Sequence, residues 1–373
     1  MIIGVLGGGQ LAKMLAQAAP NLALEIYVYD ANPHSCAFAD SRHICASFEN
    51  THALTRFAQE CNLITCEFEN IPTSALELVS KYCPCLPSAE VFAIGSNRIK
   101  EKSCFDAVGI TVPNYLALNS GQDCIQASEA IGFPLMAKTA SGGYDGKGQK
   151  RCDNLAQLKE WFTSLGGRAA IAEELVDFDH EISQLITRNS KGETLAYPPV
   201  YIHQHQGVLH LAMPCPNHPL TKQAKYYAEL LANRLKYVGI LALEMFVLRS
   251  GKLLANEFSP RVHNSGHWSI EGTTTSQFTQ HLLAICAKPL GQVELTQQCI
   301  MINCLGKLPR IKSDTNSHFH DYGKEVRPGR KLGHITLTQA EDETTPQLLD
   351  RTAAIYQTLY GLPLPKPLDN LTS

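Results

Sequence analysis

The chain has 373 residues, of which 44% are hydrophobic and 18% are charged, a length that predicts more than one domain because single cores rarely exceed about 250–300 residues. Its formal net charge is −3, from 35 acidic and 32 basic residues, and no run of like charges indicates binding to nucleic acid or to an anionic membrane. The longest apolar stretch, residues 238–248, is shorter than the ~20 residues of a membrane helix. Since the chain also begins without a signal-like segment, we expect a cytoplasmic protein.

Thirteen cysteines are scattered along the chain, an odd number that does not suit the disulfide framework of a small secreted domain. No two of them have the C-x-x-C spacing of a zinc ligand pair. We therefore expect reduced thiols, mostly buried, that pack as small hydrophobes.

The first hundred residues alternate predicted strands and helices. A short apolar run, residues 2–6, precedes three glycines and a helix-forming segment. Further strands are predicted at residues 24–29 and 63–66, with a helix at 51–61 between them. This alternation predicts a parallel sheet covered on both faces, and thus a Rossmann-like α/β unit ending near residues 95–100.

The glycine turn GGGQLA at residues 7–12 satisfies the dinucleotide fingerprint G-x-G-x-x-G/A, and Asp30 ends the next strand. Three interpretations remain open for it. The turn could bind a dinucleotide, bind another phosphate-bearing ligand at the helix N-terminus, or serve only as a tight connection.

A second glycine-rich loop follows a helix predicted at residues 99–108 and a strand at 134–138. Residues 142–149 contain four glycines in eight positions, with Lys138 before the loop and Lys147 inside it. Glycine loses the most conformational freedom on folding, so we interpret the loop as closing backbone amides and a lysine over a polyphosphate. It is not a P-loop, because Gln149 and Lys150 follow Gly148 where K-[ST] is required, and a flexible surface loop is the alternative.

The most specific feature is a hairpin. Strands are predicted at residues 169–176 and 181–187, a helix at 225–235, and then two apolar strands that meet at a two-residue turn, Ser250–Gly251.

This turn would place Glu244 opposite Glu257, where two carboxylates repel. A divalent cation such as Mg²⁺ removes the repulsion, and Asn256 is a candidate third oxygen ligand. Two solvated acids on an exposed face are the alternative.

Two basic segments follow the hairpin. Arg261, His263 and Asn264 come directly after its second strand and could hold a small anion. Residues 322–334 concentrate basic side chains that could bind a phosphate. In each case an ordinary surface loop is the alternative, and the four-residue spacing of His263 and His267 does not indicate zinc because Pro260 and Gly266 oppose a helix.

Taken together, these motifs resemble the ATP-grasp ligases, and among them the N5-carboxyaminoimidazole ribonucleotide synthetase family of purine biosynthesis. The resemblance rests on GGGQL (7–11), EFE (67–69), GGYDGKGQ (142–149), NEFSPRVHNSGHW (256–268) and KEVRPGRKLGH (324–334). It implies an α/β and α+β multidomain fold with three parts. These are a Rossmann-like domain over residues 1–98, an ATP-grasp domain over 99–294 with a mobile lobe over about 113–175, and a small C-terminal domain over 295–373.

The resemblance also implies an activity. Similar enzymes use ATP and Mg²⁺ to phosphorylate bicarbonate and then carboxylate 5-aminoimidazole ribonucleotide, and a homodimer is expected. The residues carried over to ATP are Arg98, Lys138, Gly143, Tyr144, Asp145, Gly146, Lys147, Gly148, Gln149, Glu173, Glu174, Leu175, Val176, Glu181, His203, Asn256 and Glu257. Those carried over to the ribonucleotide are Gln10, Leu11, Glu67, Tyr144, Asp145, Lys324, Arg330 and Lys331. Glu244 and Glu257 are implied to hold Mg²⁺, and Arg261, His263, Asn264 and Lys324 to be catalytic.

The chain departs from the family pattern in two places. A histidine is expected on the adenine side, and the candidates His203 and His205 lie one position either side of its expected place. Lys147 stands where many relatives have arginine, which keeps the charge but loses the planar fork. The alternative functions are an ATP-grasp ligase that activates another carboxylate such as formate, an NAD-dependent oxidoreductase, and a non-catalytic nucleotide-binding module.

Overall fold

The computed structural model describes residues 1–143, 148–309 and 315–365, and these form three β-sheets. Tyr144, Asp145, Gly146 and Lys147, which were predicted to contact ATP or the ribonucleotide, lie outside the described residues. Among the helices described, none has the length and apolar character needed to cross a membrane. All thirteen cysteines are free thiols.

The N-terminal unit is the predicted parallel sheet, with strand order β3-β2-β1-β4. Strands β1, β2 and β4 are mostly buried because helices cover both faces of the sheet, whereas the edge strand β3 is largely exposed. The elements are β1 (Ile2–Leu6), α1 (Gln10–Ala18), β2 (Glu25–Asp30), β3 (Arg42–Cys45), α2 (Thr51–Glu60), β4 (Leu63–Cys66), α3 (Thr73–Val79) and α4 (Ala89–Gly95).

The next unit is an antiparallel sheet with strand order β5-β8-β6-β7, flanked by helices. Asn97 caps the first helix, since its side chain accepts the backbone N–H groups of Ile99 and Lys100. The elements are α5 (Arg98–Asp106), β5 (Tyr115–Leu118), α6 (Gly121–Ala130), β6 (Leu135–Thr139), β7 (Gln149–Cys152), α7 (Leu155–Ser164) and β8 (Ala170–Glu174).

The largest sheet has nine strands in the described part of the chain. Its order is β14-β13-β9-β11-β12-β15-β17-β16, with β10 beside β9. The elements are β9 (Phe178–Arg188), β10 (Thr194–Ala196), β11 (Val200–His205), β12 (Val208–Pro214), α8 (Thr221–Arg234), β13 (Gly239–Leu248), β14 (Leu253–Ser259), α9 (Ser269–Gly272), α10 (Gln277–Ile285), β15 (Cys299–Leu305), β16 (Ser317–Asp321), β17 (Lys331–Thr338) and α11 (Thr345–Tyr360).

The C-terminal segment extends this sheet. β15 pairs with β12 through Leu211↔Ile302 and Ala212↔Met301, and β17 and β16 follow it outward. The strands after residue 295 are therefore continuous with the sheet that carries the β13–β14 hairpin. One consequence is that Lys331, the first residue of β17, faces the same cavity as that hairpin.

The hairpin differs from its prediction at the turn. The Leu248 N–H donates to the Lys252 carbonyl at 2.9 Å, so three residues form the loop, and Gly251 takes the left-handed φ of 75° that such a loop requires. The predicted two-residue turn at Ser250–Gly251 is therefore wrong. A β-bulge between Glu244 and Met245 in the ladder then restores the predicted pairing further along.

Candidate active site

A cavity of about 570 Å³ lies where the three sheets meet. Most of the residues predicted for the site line it. They are Gln10, Leu11, Glu67, Arg98, Lys138, Gly143, Gln149, Glu173, Glu174, Leu175, Val176, Glu181, Glu244, Asn256, Glu257, Arg261, His263, Asn264 and Lys331.

Four described residues predicted for the site do not line this cavity, namely Gly148, His203, Lys324 and Arg330. Gly148 is nevertheless adjacent, since its carbonyl accepts the Thr139 N–H at 2.8 Å. Lys324 reaches the cavity through Gln10, as described below.

Glu244 and Glu257 are directly paired across β13 and β14, as predicted. Glu244 is buried, with 7% of its surface exposed, whereas Glu257 is exposed. The bulge sets two residues of β14 against one of β13 at this point. As a result the neighbours Asn256 and Glu257 both line the cavity, which a regular strand would not allow because its side chains alternate between faces.

Carboxylates crowd this part of the cavity. Burial raises the pKa of Glu244 well above its ordinary value, and the charges of Glu257 and Glu181 raise it further. Burial and then the charge of Glu257 raise the pKa of Glu181 to about 7 and that of Glu101 to about 8. These carboxylates disfavour one another's charged form, and a bound cation would relieve that repulsion.

This donor set fits Mg²⁺. In the described ranges no group of three or more His, Cys, Asp or Glu side chains is arranged to hold a metal. Mg²⁺ needs no such cage, because it is usually bound by one or two carboxylates together with phosphate oxygens and water. Glu244 and Glu257 supply the carboxylates.

A buried ion cluster lies near the carboxylates. Lys138 donates to Glu173 Oε2 at 2.8 Å, and Lys102 lies 3.8 Å from the same oxygen. Lys102 also donates to the Asn256 carbonyl at 2.7 Å, which ties α5 to β14. Glu173 Oε1 is buried without a partner, leaving an acceptor for a ligand. Lys102 was missed by the sequence analysis, because a lysine inside a helix gives no sign that it is buried.

An aromatic pair forms one wall. Phe178 and Phe246 stack with ring centroids 4.8 Å apart, and both line the cavity beside Leu175 and Val176. Such a surface suits a flat, weakly polar ring. Nothing in the spacing of the two phenylalanines indicated that adjacent strands would bring them together.

Gln204 occupies the expected position of the family histidine. It lines the cavity and donates to Glu244 Oε2 at 3.2 Å. His203 instead contacts His210 and Tyr356, outside the cavity lining, and His205 is exposed. The assignment of His203 to the nucleotide is therefore not supported by its position.

Arg261 is placed to bind an anion. One side of its guanidinium pairs with Glu69 at 2.6 Å, and Nη1 donates to the Val262 carbonyl. Its Nε–H is buried and has no partner. Because an unpaired buried donor is costly, this group is suited to a ligand oxygen in the cavity.

His263 and Asn264 follow on the same loop. His263 Nε2 lies 3.4 Å from Glu244 Oε1, so the imidazole faces the predicted metal carboxylate. Asn264 forms a reciprocal amide pair with Asn303, at 3.0 and 2.6 Å, which fixes its orientation at the cavity wall. Asn303 belongs to β15 and was not predicted.

The third part of the site lies at the glycine turn. Glu67 packs against Gly9, where any Cβ would overlap its carboxylate. Burial raises the pKa of Glu67, while the charges of Arg261 and Lys324 lower it. Lys324 Nζ donates to Gln10 Oε1. Residues distant in sequence therefore meet at the N-terminus of α1.

Positive charge is concentrated around Lys324. Burial lowers the pKa of its ammonium, and the charges of Arg330 and Lys331 lower it further. Three cations that repel one another next to a helix N-terminus suit a doubly charged phosphate.

Asp30 is not available to a ribose. One of its carboxylate oxygens accepts the Gly8 N–H at 2.5 Å and the other accepts the Asn32 N–H at 2.8 Å. Asp30 thus stabilises the glycine turn from within the fold, and the geometry does not support the dinucleotide interpretation.

Three family models match consecutive parts of the chain. The ribonucleotide synthetase preATP-grasp domain matches residues 1–96, the ATP-grasp domain matches 103–278, and the phosphoribosylaminoimidazole carboxylase C-terminal domain matches 299–347.

Full-length proteins are similar as well. The N5-carboxyaminoimidazole ribonucleotide synthase of Pseudomonas aeruginosa is 39% identical over 96% of this chain and 100% of its own. The crystal structure of the synthetase from Thermus thermophilus has a TM-score of 0.90 and 36% identity, covering 97% of this chain and 100% of that one. The synthase from Aspergillus clavatus, solved with ADP and 5-aminoimidazole ribonucleotide, has a TM-score of 0.83 and 29% identity, covering 100% and 98%.

Proposed function

The chain belongs to the N5-carboxyaminoimidazole ribonucleotide synthases, a family of ATP-grasp ligases in purine biosynthesis, and we propose that the cavity between its three sheets joins bicarbonate to the amine of 5-aminoimidazole ribonucleotide. The observation that carries this assignment is the convergence of three kinds of site on one cavity. They are an opposed carboxylate pair and an arginine with an unpaired buried donor, both in the cavity lining, and a cationic cluster at the glycine turn, from which Lys331 lines the cavity and Lys324 reaches it through Gln10.

In this proposal the nucleotide lies between the antiparallel sheet β5-β8-β6-β7 and the β13–β14 hairpin. The aromatic pair Phe178 and Phe246 supports the base, and Lys138 and Arg98 lie where the phosphates carry charge. Glu244 and Glu257 would hold Mg²⁺, which neutralises negative charge on the transferring phosphoryl group.

Bicarbonate lies against Arg261 and His263. It is a weak electrophile, so ATP first transfers its γ-phosphoryl group to one bicarbonate oxygen, which gives carboxyphosphate and ADP. The Arg261 Nε–H is an unpaired donor for the anion, and preorganised donors of this kind lower the barrier by stabilising developing charge.

The ribonucleotide lies at the glycine turn. Its phosphate meets Lys324, Arg330 and Lys331, and Gln10 and Glu67 contact the rest of the molecule. The exocyclic amine attacks the activated carboxyl carbon and phosphate leaves. Because carboxyphosphate hydrolyses in water, we expect bulk water to be excluded from the site before transfer.

A phosphate-release assay tests the function. With ATP and Mg²⁺ present, rapid release should require both 5-aminoimidazole ribonucleotide and bicarbonate, and omitting either one should abolish most of it. Phosphate release that requires formate in place of bicarbonate would instead indicate a ligase that activates another carboxylate. Equal release with neither substrate would reject the assignment.

Three further features belong to the proposal. We place the enzyme in the cytoplasm, we take its active form to be a homodimer, and we divide it into domains over residues 1–98, 99–294 and 295–373. Their support is the resemblance to the family and, for the first domain, the parallel sheet whose last strand along the chain is β4.

A further inference from the structure

The imidazole of His263 is held on its Nδ1 side by a second residue of the same loop. The backbone N–H of Ser265 donates to His263 Nδ1 at 3.3 Å, and the Ser265 hydroxyl lies 2.8 Å from the same nitrogen. The Ser183 hydroxyl, on β9, lies 2.7 Å from that of Ser265. Both serines are fully buried.

These contacts determine which ring nitrogen carries the proton. A backbone N–H can only donate, so His263 Nδ1 must present its lone pair. The Ser265 hydroxyl then also donates to Nδ1, and the Ser183 hydroxyl donates to the Ser265 oxygen. The neutral imidazole therefore carries its proton on Nε2, the nitrogen that faces Glu244 Oε1 at 3.4 Å.

The main chain of His263 is fixed as well. The side chain of Gln277, the first residue of α10, accepts the His263 N–H at 2.8 Å and donates to the His263 carbonyl at 2.7 Å. Gly266 permits this close approach, since a Cβ there would come within 2.6 Å of Gln277 Oε1. Ring and backbone are thus both held by hydrogen bonds, and the ring has little freedom to turn over.

We propose that Ser265, supported by Ser183, is a positioning residue that fixes the tautomer of His263, so that His263 presents an N–H to the bound anion. In this arrangement His263 is a neutral hydrogen-bond donor to bicarbonate and to the carboxyphosphate formed from it. It does not act as a general base, because the nitrogen that faces the cavity has no free lone pair. The inference rests on the proposed function for the identity of the anion, but the tautomer itself follows from contacts within the protein.

Nitrogen-15 NMR of the histidine rings tests the tautomer directly in the substrate-free enzyme. The His263 signals are assigned by their disappearance in His263→Gln. We expect the Nε2-protonated pattern for His263 in the wild-type enzyme. An Nδ1-protonated pattern would overturn the proposal, whether or not the enzyme catalyses the proposed reaction.

Kinetics of hydroxyl variants test the positioning role. Ser265→Ala should raise the KM for bicarbonate about tenfold, the equivalent of roughly 1.4 kcal/mol, and leave the KM for ATP within about twofold. Thr273→Ala is the matched control, because the Thr273 hydroxyl is also buried in this region but bonds only the carbonyls of Ser269 and Thr275.

A double-mutant cycle separates positioning from general loss of packing. The Ser183 hydroxyl hydrogen-bonds the Ser265 hydroxyl, so Ser183→Ala should shift the His263 ring signals through Ser265. The double variant should therefore behave like Ser265→Ala alone. Additive effects, or an unchanged bicarbonate KM in a folded Ser265→Ala enzyme, would overturn the positioning role. Loss of bicarbonate dependence in the wild type would instead reject the proposed function and leave the tautomer standing.

Discussion

Glu244 lies directly opposite Glu257 in the β13–β14 ladder, and a single β-bulge keeps the two acids in register. Between the turn and the bulge, each residue of β13 pairs with the β14 residue one position earlier than the Glu244–Glu257 pairing implies. Without the bulge, Glu244 would therefore face Asn256. The bulge also brings both Asn256 and Glu257 to the cavity. Bulges are common beside active sites because they redirect side chains in this way.

Replacing one acid of this pair should remove activity without unfolding the protein. Glu257→Gln keeps the size of an exposed side chain but removes one of the two proposed metal carboxylates, so turnover should fall on the order of 10²-fold or more. The control is Glu160→Gln, an exposed acid on α7 away from the cavity. Steady-state phosphate release and thermal unfolding are measured together, and full activity in Glu257→Gln would reject the metal role.

The contribution of Glu181 to the stability of the ligand-free enzyme should decrease as the pH rises from the ordinary carboxyl pKa to about 7. The pKa of Glu181 is raised to about 7 by burial and then by Glu257, so between the ordinary carboxyl pKa and pH 7 the folded state binds more protons than the unfolded state. The part of the stability that depends on Glu181 therefore falls as the pH rises across that window.

Glu181→Gln isolates this effect from other titrating groups. The difference in melting temperature between variant and wild type should grow in favour of the variant from about pH 5 to pH 8. Adding Mg²⁺ with ADP to the wild type should reduce that difference at pH 8. A difference that does not change with pH would contradict the proposed charge crowding.

Gln204 should matter more than either histidine beside it. Its amide donates to Glu244 Oε2, and a hydrogen bond to a charged group contributes about 1.5–3 kcal/mol. Gln204→Ala should therefore weaken ADP binding in the presence of Mg²⁺ by roughly tenfold or more. His205→Ala, which changes the adjacent exposed side chain, is the control and should change binding less than about twofold. Calorimetric titration distinguishes the two, and equal losses would contradict the assigned position.

Lys324 should act on the ribonucleotide and not on ATP. Its ammonium lies with Arg330 and Lys331 and donates to Gln10, on the side of the site that we assign to the substrate phosphate. Lys324→Ala should raise the KM for 5-aminoimidazole ribonucleotide at least tenfold, since charge-assisted bonds are stronger than neutral ones. The KM for ATP should stay within about twofold, as should both constants in Lys159→Ala on α7. A larger effect on ATP would place Lys324 elsewhere.

Much of the fold was predictable because its elements are set by local patterns. Strands β1 and β4 and helix α2 fall within a residue or so of their predicted limits. The pairing of Glu244 with Glu257 was also predicted, but from a turn that the structure does not contain. Hydrophobic alternation indicates a strand but not the length of its loop. A three-residue loop followed by a bulge gives the same Glu244–Glu257 pairing as a symmetric two-residue turn, so the sequence pattern does not distinguish the two.

The missed parts of the site depend on contacts between distant strands. Gln204 was overlooked because only histidines were considered at this position, whereas the structure places Gln204 in the cavity lining. Phe178 and Phe246 meet only because β9 and β13 are neighbours. The bonds of Asn264 to Asn303 depend on the C-terminal strands joining the large sheet. None of these relations leaves a periodic signal in one sequence.

The most direct measurement of the central claim is the Mg²⁺ dependence of ADP binding, determined by calorimetric titration of the wild type and of the double variant Glu244→Gln/Glu257→Gln. The wild type should bind ADP much more tightly with Mg²⁺ than without it, and the double variant should bind with nearly the same affinity in both conditions. If the double variant keeps the full Mg²⁺ enhancement, the two opposed acids do not hold the metal and the proposed site is wrong.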